Sequence, residues 1–390
     1  MPPVRRRLAA GGPTSHTNPF ETLDRALTPV LEAARIHAGD VDRAASFPSA
    51  VIEALRAHGF FGLLSAADMG GWGLGPRAAV HVVESIARIC PSAAMVTCMH
   101  YAGAAVIEAH GHSATRREIA AGGHLSTLAF SEAGSRSQFW APTSTATPKG
   151  DSVQLDARKS WVTSARHATA YVWSSRPSGA EGLSSLWLVP RGAPGLGPGP
   201  AFDGIGLRGN DSSPVAAEGV FVPANARLGE DGKGFDIMMG VVLPLFSMMI
   251  AAVSTGIMEH SVESTAEHAR RTRFENTGES LADLPTLRAK VARMRIATDA
   301  ARALLDTAGD AVEAKSADAM LRVLIAKAAC ADAAIEVTDL AMRVCGGAAF
   351  RKEVDVERFF RDARAAAIMA PTSDQLHDFI GRAVCGLPLF

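Results

Sequence analysis

Between about Leu125 and Leu228 the chain changes its period. Short alternating runs (SVQLDA, KSWVTS, AYVWSS, SLWLVP, AEGVFVP) stand between clusters of Gly, Pro, Asn and Asp. Alternation with period two marks half-buried strands, and the tight spacing leaves no room for the crossover helices of a parallel sheet. On either side the texture is different. FETLDRALTPVLEAARIHAG and FPSAVIEALRAHGF before it, and LRAKVARMRIATDAARALLDTAGDAVEA after it, place apolar residues three and four apart, as amphipathic helices do. This order predicts an α+β chain: a disordered tail over 1–19, an all-α domain over 20–124, an antiparallel, barrel-like β domain over 125–232 and a four-helix bundle over 233–390.

At 390 residues each region has enough chain to bury a core of its own. The 39 basic and 40 acidic residues nearly cancel, which leaves no electrostatic footprint for nucleic acid or an anionic membrane. Five scattered cysteines (Cys90, Cys98, Cys330, Cys345, Cys385) form no CxxC pair, so neither a disulfide framework nor a metal site is expected, and a reducing cytoplasm fits. The N-terminal MPPVRRRLAAGGPTSH is basic with no apolar region behind it, and is not read as a signal peptide. One stretch, Ile237 to Met258, is uncharged and long enough to span a bilayer. It carries Gly240, Pro244, Ser247, Ser254 and Thr255 without flanking basic or aromatic anchors, and reads instead as a helix buried on all sides of a bundle.

No GxGxxG follows a strand, and no GxxxxGK[ST], HExxH or GxSxG occurs, so a Rossmann-type dinucleotide site is not expected. Six segments, in order from about Phe20 to Arg382, resemble the acyl-CoA dehydrogenase family instead. LAFSEAGSRSQFWAPTSTA is similar to its Ser/Thr-Glu-x-Gly-x-x-Ser signature, and Lys159-Ser-Trp-Val-Thr163 to its Lys-x-Trp-Ile/Val-Thr core. GLRGNDSSPVAAEGVFVP, ARRTRF, RVCGGAAF and FFRDARAAAIMAPTSD resemble the remaining segments.

The resemblance implies FAD. It places Trp161 beside the isoalloxazine, Thr163 near N5, Phe130 and Ser131 at the pyrimidine edge, and Ser137 near the phosphates or the thioester tail. Arg271 and Phe274 would serve the FAD of a neighbouring subunit, with Gly346 and Gly347 close to the adenine end and Thr372 and Asp374 touching the cofactor. It further implies an acyl substrate on CoA or a carrier protein, an electron acceptor or oxygen, and a homodimer or homotetramer.

The departures concern the base. A carboxylate removes the substrate α-proton in such enzymes, and alignment on Arg-Asp-Ala puts Ala370 at that position, with Met369 before it and Pro371 after it. The alternative base position of some relatives falls at Phe246 and Ser247. Neither place holds a carboxylate. His100, on an apolar helix, is the leading replacement; His377, Asp378, Cys345 and Glu132 are weaker candidates, the last expected to be structural. Three readings follow: a dehydrogenase with a moved base, a flavin-dependent monooxygenase that needs no such base, and a flavin-binding scaffold without catalysis.

Overall fold

A computed structural model describes residues 19–136 and 138–388. Helices come first: α1 (Pro19–Arg43), α2 (Ser49–Ala57), α3 (Pro76–Ala87), α4 (Pro91–His110) and α5 (Ser113–Ala120). Proline opens both α3 and α4, where its missing N–H would have had no partner in any case. Helix α4 has no wet face: from Pro91 to Ala104 every side chain is buried, against α3, α7 and the first strand.

Eight strands follow: β1 (Ser126–Ala129), β2 (Thr145–Lys149), β3 (Ser152–Val162), β4 (Ala170–Ser175), β5 (Ser185–Pro190), β6 (Leu196–Pro198), β7 (Ser213–Pro223) and β8 (Arg227–Leu228). They form two four-stranded sheets, ordered β1-β4-β5-β8 and β2-β3-β7-β6. Trp173, Trp187, Leu155, Val189, Val215 and Val220 fill the core of this region. One expectation is corrected. Strand β1 pairs with β4 in parallel, Ser126 opposite Ala170, whereas the other pairings between the eight strands are antiparallel. Strand β1 arrives from α4 and α5 rather than from a hairpin, so no turn imposes an antiparallel direction on it.

The chain then returns to helix: α6 (Gly234–Ile237), a π-helical turn (Met238–Val242), α7 (Leu243–Arg271), α8 (Pro285–Glu313), α9 (Ala319–Cys345), α10 (Val356–Asp362), α11 (Arg364–Ile368) and α12 (Ser373–Val384). Gly234–Arg271 is long and apolar enough to cross a membrane, but 72% of its most apolar window is buried against the rest of the protein. It packs on α3, α4, α8 and α9. At one junction residues of all three regions meet. Arg361 on α10 pairs with Asp42 of α1, Asp362 accepts the Leu207 N–H at 2.6 Å, and the Gly209 N–H donates to Ser92 at the start of α4.

Candidate active site

The cavity that this junction encloses has a volume of about 610 Å³. Its walls come from α4 (Met95, Met99), the end of β1 (Leu128, Phe130, Ser131), the end of β3 (Ser160, Trp161, Thr163), the loop from Phe202 to Ser212, the start of α7 (Leu243, Phe246), and α11 through Ala370.

Trp161 reaches the cavity through a bulge in β3. Lys159 pairs with Val215 and Val162 with Ser213, so three steps on β3 match two on β7. Trp161 takes up the extra length at φ +57, a conformation bulky residues rarely adopt, and remains 62% exposed with its ring 4.2 Å from that of Phe202. Arg136 and Leu207, also on the wall, and the flanking Ser164 and Asp211 have positive φ as well. Backbone strain of this kind collects at functional sites because the surrounding structure must hold it in place.

On the wall, Glu132 is clamped to Lys159 behind it. Lys159 Nζ donates to Glu132 Oε1 and to the Ser174 carbonyl, each at 2.6 Å, and to the Ser174 hydroxyl at 2.9 Å. Glu132 also accepts from the N–H and hydroxyl groups of Thr143 and Ser144. Burial pushes the Glu132 carboxyl up, but the Lys159 charge and these hydroxyls outweigh it and hold the pKa below its ordinary value. Glu132 is therefore a charged staple between the β1 extension and β3, and its lone pairs are already occupied.

His100 is corrected as a candidate base. It lies 1% exposed in the core and does not line the cavity, although Met95 and Met99 of the same helix do. The Ser126 N–H donates to Nδ1 at 3.1 Å, which leaves the proton on Nε2, and Nε2 donates to the Phe61 carbonyl at 3.0 Å. Burial lowers its pKa to about 4, so the ring is neutral with both nitrogens occupied. The weaker candidates also have other partners. His377 pairs with Asp332 and Asp378 with Arg382, both exposed, while Cys345 is buried with its thiol pKa raised.

Phe130, Ser131, Trp161 and Thr163 thus share one cavity, and Ala370 and Phe246 face the same space. Ser247 points elsewhere, fully buried with its hydroxyl lacking a partner. The other cofactor positions stand apart from this cavity. Arg271 and Phe274 are exposed at the end of α7 and just beyond it, and Gly346 (φ +55) and Gly347 terminate α9. Thr372 caps α12 by accepting the Gln375 N–H, and Asp374 is exposed in its first turn. Ser137 and the tail before Pro19 lie outside the described residues.

Three domain families cover most of the chain: "Acyl-CoA dehydrogenase, N-terminal domain" over residues 24–122, its middle domain over 127–220 and its C-terminal domain over 232–385. Cyclohex-1-ene-1-carbonyl-CoA dehydrogenase of Syntrophus aciditrophicus is 30% identical over 88% of this chain and 84% of its own length. The chain belongs to the acyl-CoA dehydrogenase family. The human mitochondrial short-chain specific acyl-CoA dehydrogenase is 29% identical over 86% of this chain and 82% of its own. The structure of butyryl-CoA dehydrogenase from Megasphaera elsdenii superposes with a TM-score of 0.87 at 22% identity, over 96% of this chain and all of the other.

As a family member the protein is an FAD-dependent oxidoreductase. The cavity fits a flavin: an indole face with Phe202 beside it, apolar cover from Leu128 and Phe130, and the polar groups of Ser131, Ser160 and Thr163 along one edge. Three residues on or beneath the wall had no role assigned from the sequence, although two of them, Arg361 and Arg364, stand in the Arg-Asp-Ala-Arg segment. Arg361 and Arg364 line the cavity, and the buried Lys327 donates to the carbonyls of Met369 and Pro371 on either side of Ala370. For Arg364 a signal existed, since Arg-Asp-Ala is followed by Arg where the family pattern has Lys.

Proposed function

We propose that this protein is an FAD-dependent oxidoreductase of an acyl thioester whose reaction does not use the family's carboxylate base, and that this reaction is a monooxygenation. The observation behind it is the pairing of Ala370 and Phe246 on one cavity wall that also carries the flavin-edge residues. Both positions line the same cavity, and both are apolar. Glu132, the carboxylate that does line the cavity, is occupied by Lys159, Thr143 and Ser144. Among the described residues of the wall, no uncommitted carboxylate is left to accept an α-proton. Oxygenation needs none: one atom of dioxygen enters the substrate, the other leaves as water, and an external reductant supplies two electrons.

FAD, when bound, carries those electrons; the protein supplies position and dryness. Trp161 and Phe202 would cover a ring face, Ser131 and Thr163 would hold its polar edge, and Met95, Met99 and Phe246 would exclude water from the reacting end. Arg271 and Phe274 lie away from the cavity, which suits service to a neighbouring subunit. Phe274, Ile296, Leu304, Phe350 and Val384 leave apolar surface on the same helical region, and a homodimer or homotetramer would cover it. Five free cysteines, four of them buried, suit a reducing cytoplasm.

The test is anaerobic mixing of the yellow protein with a panel of acyl thioesters. The bound flavin should keep its colour, whereas prereduced protein given thioester and oxygen should release a hydroxylated product. Rapid anaerobic bleaching by any thioester would establish dehydrogenation and end the oxygenation reading.

A further inference from the structure

Of the five charged residues on the cavity wall three are matched, while Arg136 and Arg364 have no ion pair among the described residues. Glu132 is held by Lys159, Arg208 by Asp203, and Arg361 by Asp42 and Glu357. Arg364 is not matched in this way. It lines the same cavity, and among the described residues no carboxylate stands within ion-pair distance of it. The charge that acts on it is Asp339, which is itself 3.9 Å from Arg343.

The guanidinium is nonetheless held in place. It lies 3.7 Å from the centre of the Phe360 ring, and one N–H donates to the Thr338 hydroxyl at 2.8 Å. Thr338 is anchored in turn, donating to the Ala334 carbonyl at 2.7 Å. Of the five N–H donors of an arginine, one is used. Burial without an anion pulls the Arg364 pKa down, as expected for a cation short of its counter-charge.

We propose that Arg364 binds a carboxylate on the acyl part of the substrate, so that the substrate is the half-thioester of a dicarboxylic acid. Position favours the acyl part over the carrier. Arg364 and Ile368 lie four residues apart on α11 and share a face, and the wall continues from them through Met369 to Ala370. A planar fork with free donors accepts a carboxylate through two parallel hydrogen bonds. Charge balance points the same way: with alanine at the family's base position, this end of the cavity has a cation and, among the described residues, no carboxylate on its wall. A substrate carboxylate restores neutrality there.

This inference rests on the acyl-thioester reading, and the test separates the two. Binding is followed on the FAD-loaded protein by flavin absorbance, with succinyl-CoA and butyryl-CoA as an anionic and a neutral acyl group of matched length. Wild type should bind succinyl-CoA the more tightly. Arg364→Gln should raise its Kd roughly 10- to 100-fold while leaving butyryl-CoA within about twofold. Arg364→Lys, which keeps the charge without the fork, should recover part of the loss. Equal weakening of both thioesters would put the anion on the carrier, and loss of FAD from Arg364→Gln would put it on the cofactor; either overturns the proposal. If neither thioester binds, the thioester reading fails by itself, and free succinate then tests the arginine. A thermal shift in wild type that Arg364→Gln abolishes keeps the carboxylate site; no shift in wild type overturns it.

Discussion

Replacing Lys159 by Met should cost the β region about 3 kcal/mol, and replacing Glu132 by Leu about 5 kcal/mol, the two ends of the range for breaking a buried pair. The asymmetry follows from the hydrogen bonds. The side chains are 0% and 2% exposed, so either partner left alone is a charge without water. Without Lys159, the Glu132 carboxylate still accepts from Thr143 and Ser144. Without Glu132, the Lys159 ammonium keeps only Ser174 and Ser144, and two backbone N–H groups and the Thr143 hydroxyl lose their acceptor, while the Ser144 hydroxyl keeps the Ser174 carbonyl. The double variant Lys159→Met, Glu132→Leu should be less destabilised than the sum of the two, since no charge is left behind. Urea unfolding read by tryptophan fluorescence reports on this region, because Trp161, Trp173 and Trp187 lie in it and Trp173 is 5.2 Å from Lys159 Nζ. The pH dependence has a definite sign. Glu132 is depressed in the folded state, so its stabilisation is complete above the ordinary carboxyl pKa and is lost as pH falls through the lower folded value. The gap between wild type and Lys159→Met should hold from neutrality down to about pH 5 and close below it. A Lys159→Met penalty under about 1 kcal/mol would mean the pair behaves as a surface bridge, and the account of the staple would be wrong.

His100→Ala should keep substrate turnover in whatever protein folds, yet lower stability by about 2–4 kcal/mol, because the Phe61 carbonyl and Ser126 N–H lose their partner in a dry core; thermal unfolding beside activity per folded flavin checks both halves. Lys327, whose pKa burial lowers to about 7, binds fewer protons folded than unfolded between pH 7 and about 10, so stability should rise with pH there. Lys327→Met should flatten that rise by about 1.4 kcal/mol per pH unit, and an unchanged slope in urea titrations would show that the ammonium is not the source. Ala370→Glu should introduce anaerobic bleaching of the flavin by a thioester, roughly 100-fold or more above wild type if the carboxylate reaches the α-proton; stopped-flow absorbance reads it, and no gain would mean that the wall at Ala370 does not face the reacting carbon.

Much of the architecture was legible because it is local. The 3.6-residue period of α1 and α8, the alternation of β3 and β7, and the uncharged run in α7 each follow from short-range pattern and burial. The parallel pairing of β1 with β4 was not legible: strand direction depends on where a distant helix delivers the chain, and Ser126 and Ala170 meet only in the folded protein. His100 shows the same limit at a site. An apolar helix around a histidine is equally compatible with a base and a core residue, and two backbone groups, from Phe61 and β1, decide between them.

The sequence by itself determined the family, the order of helices, strands and helices, and the absence of a carboxylate at Ala370 and at Phe246, since residue identity needs no coordinates. Tertiary structure alone decided that those two positions, 124 residues apart in number, face one cavity with Phe130, Ser131, Trp161 and Thr163. It also decided that Glu132 is neutralised and Arg364 is not, because charge matching is settled by through-space distances of a few ångströms. Trp161 spans both. Its place in the motif is written in the chain, but its exposure to the cavity comes from a bulge that exists only where β3 lies against β7.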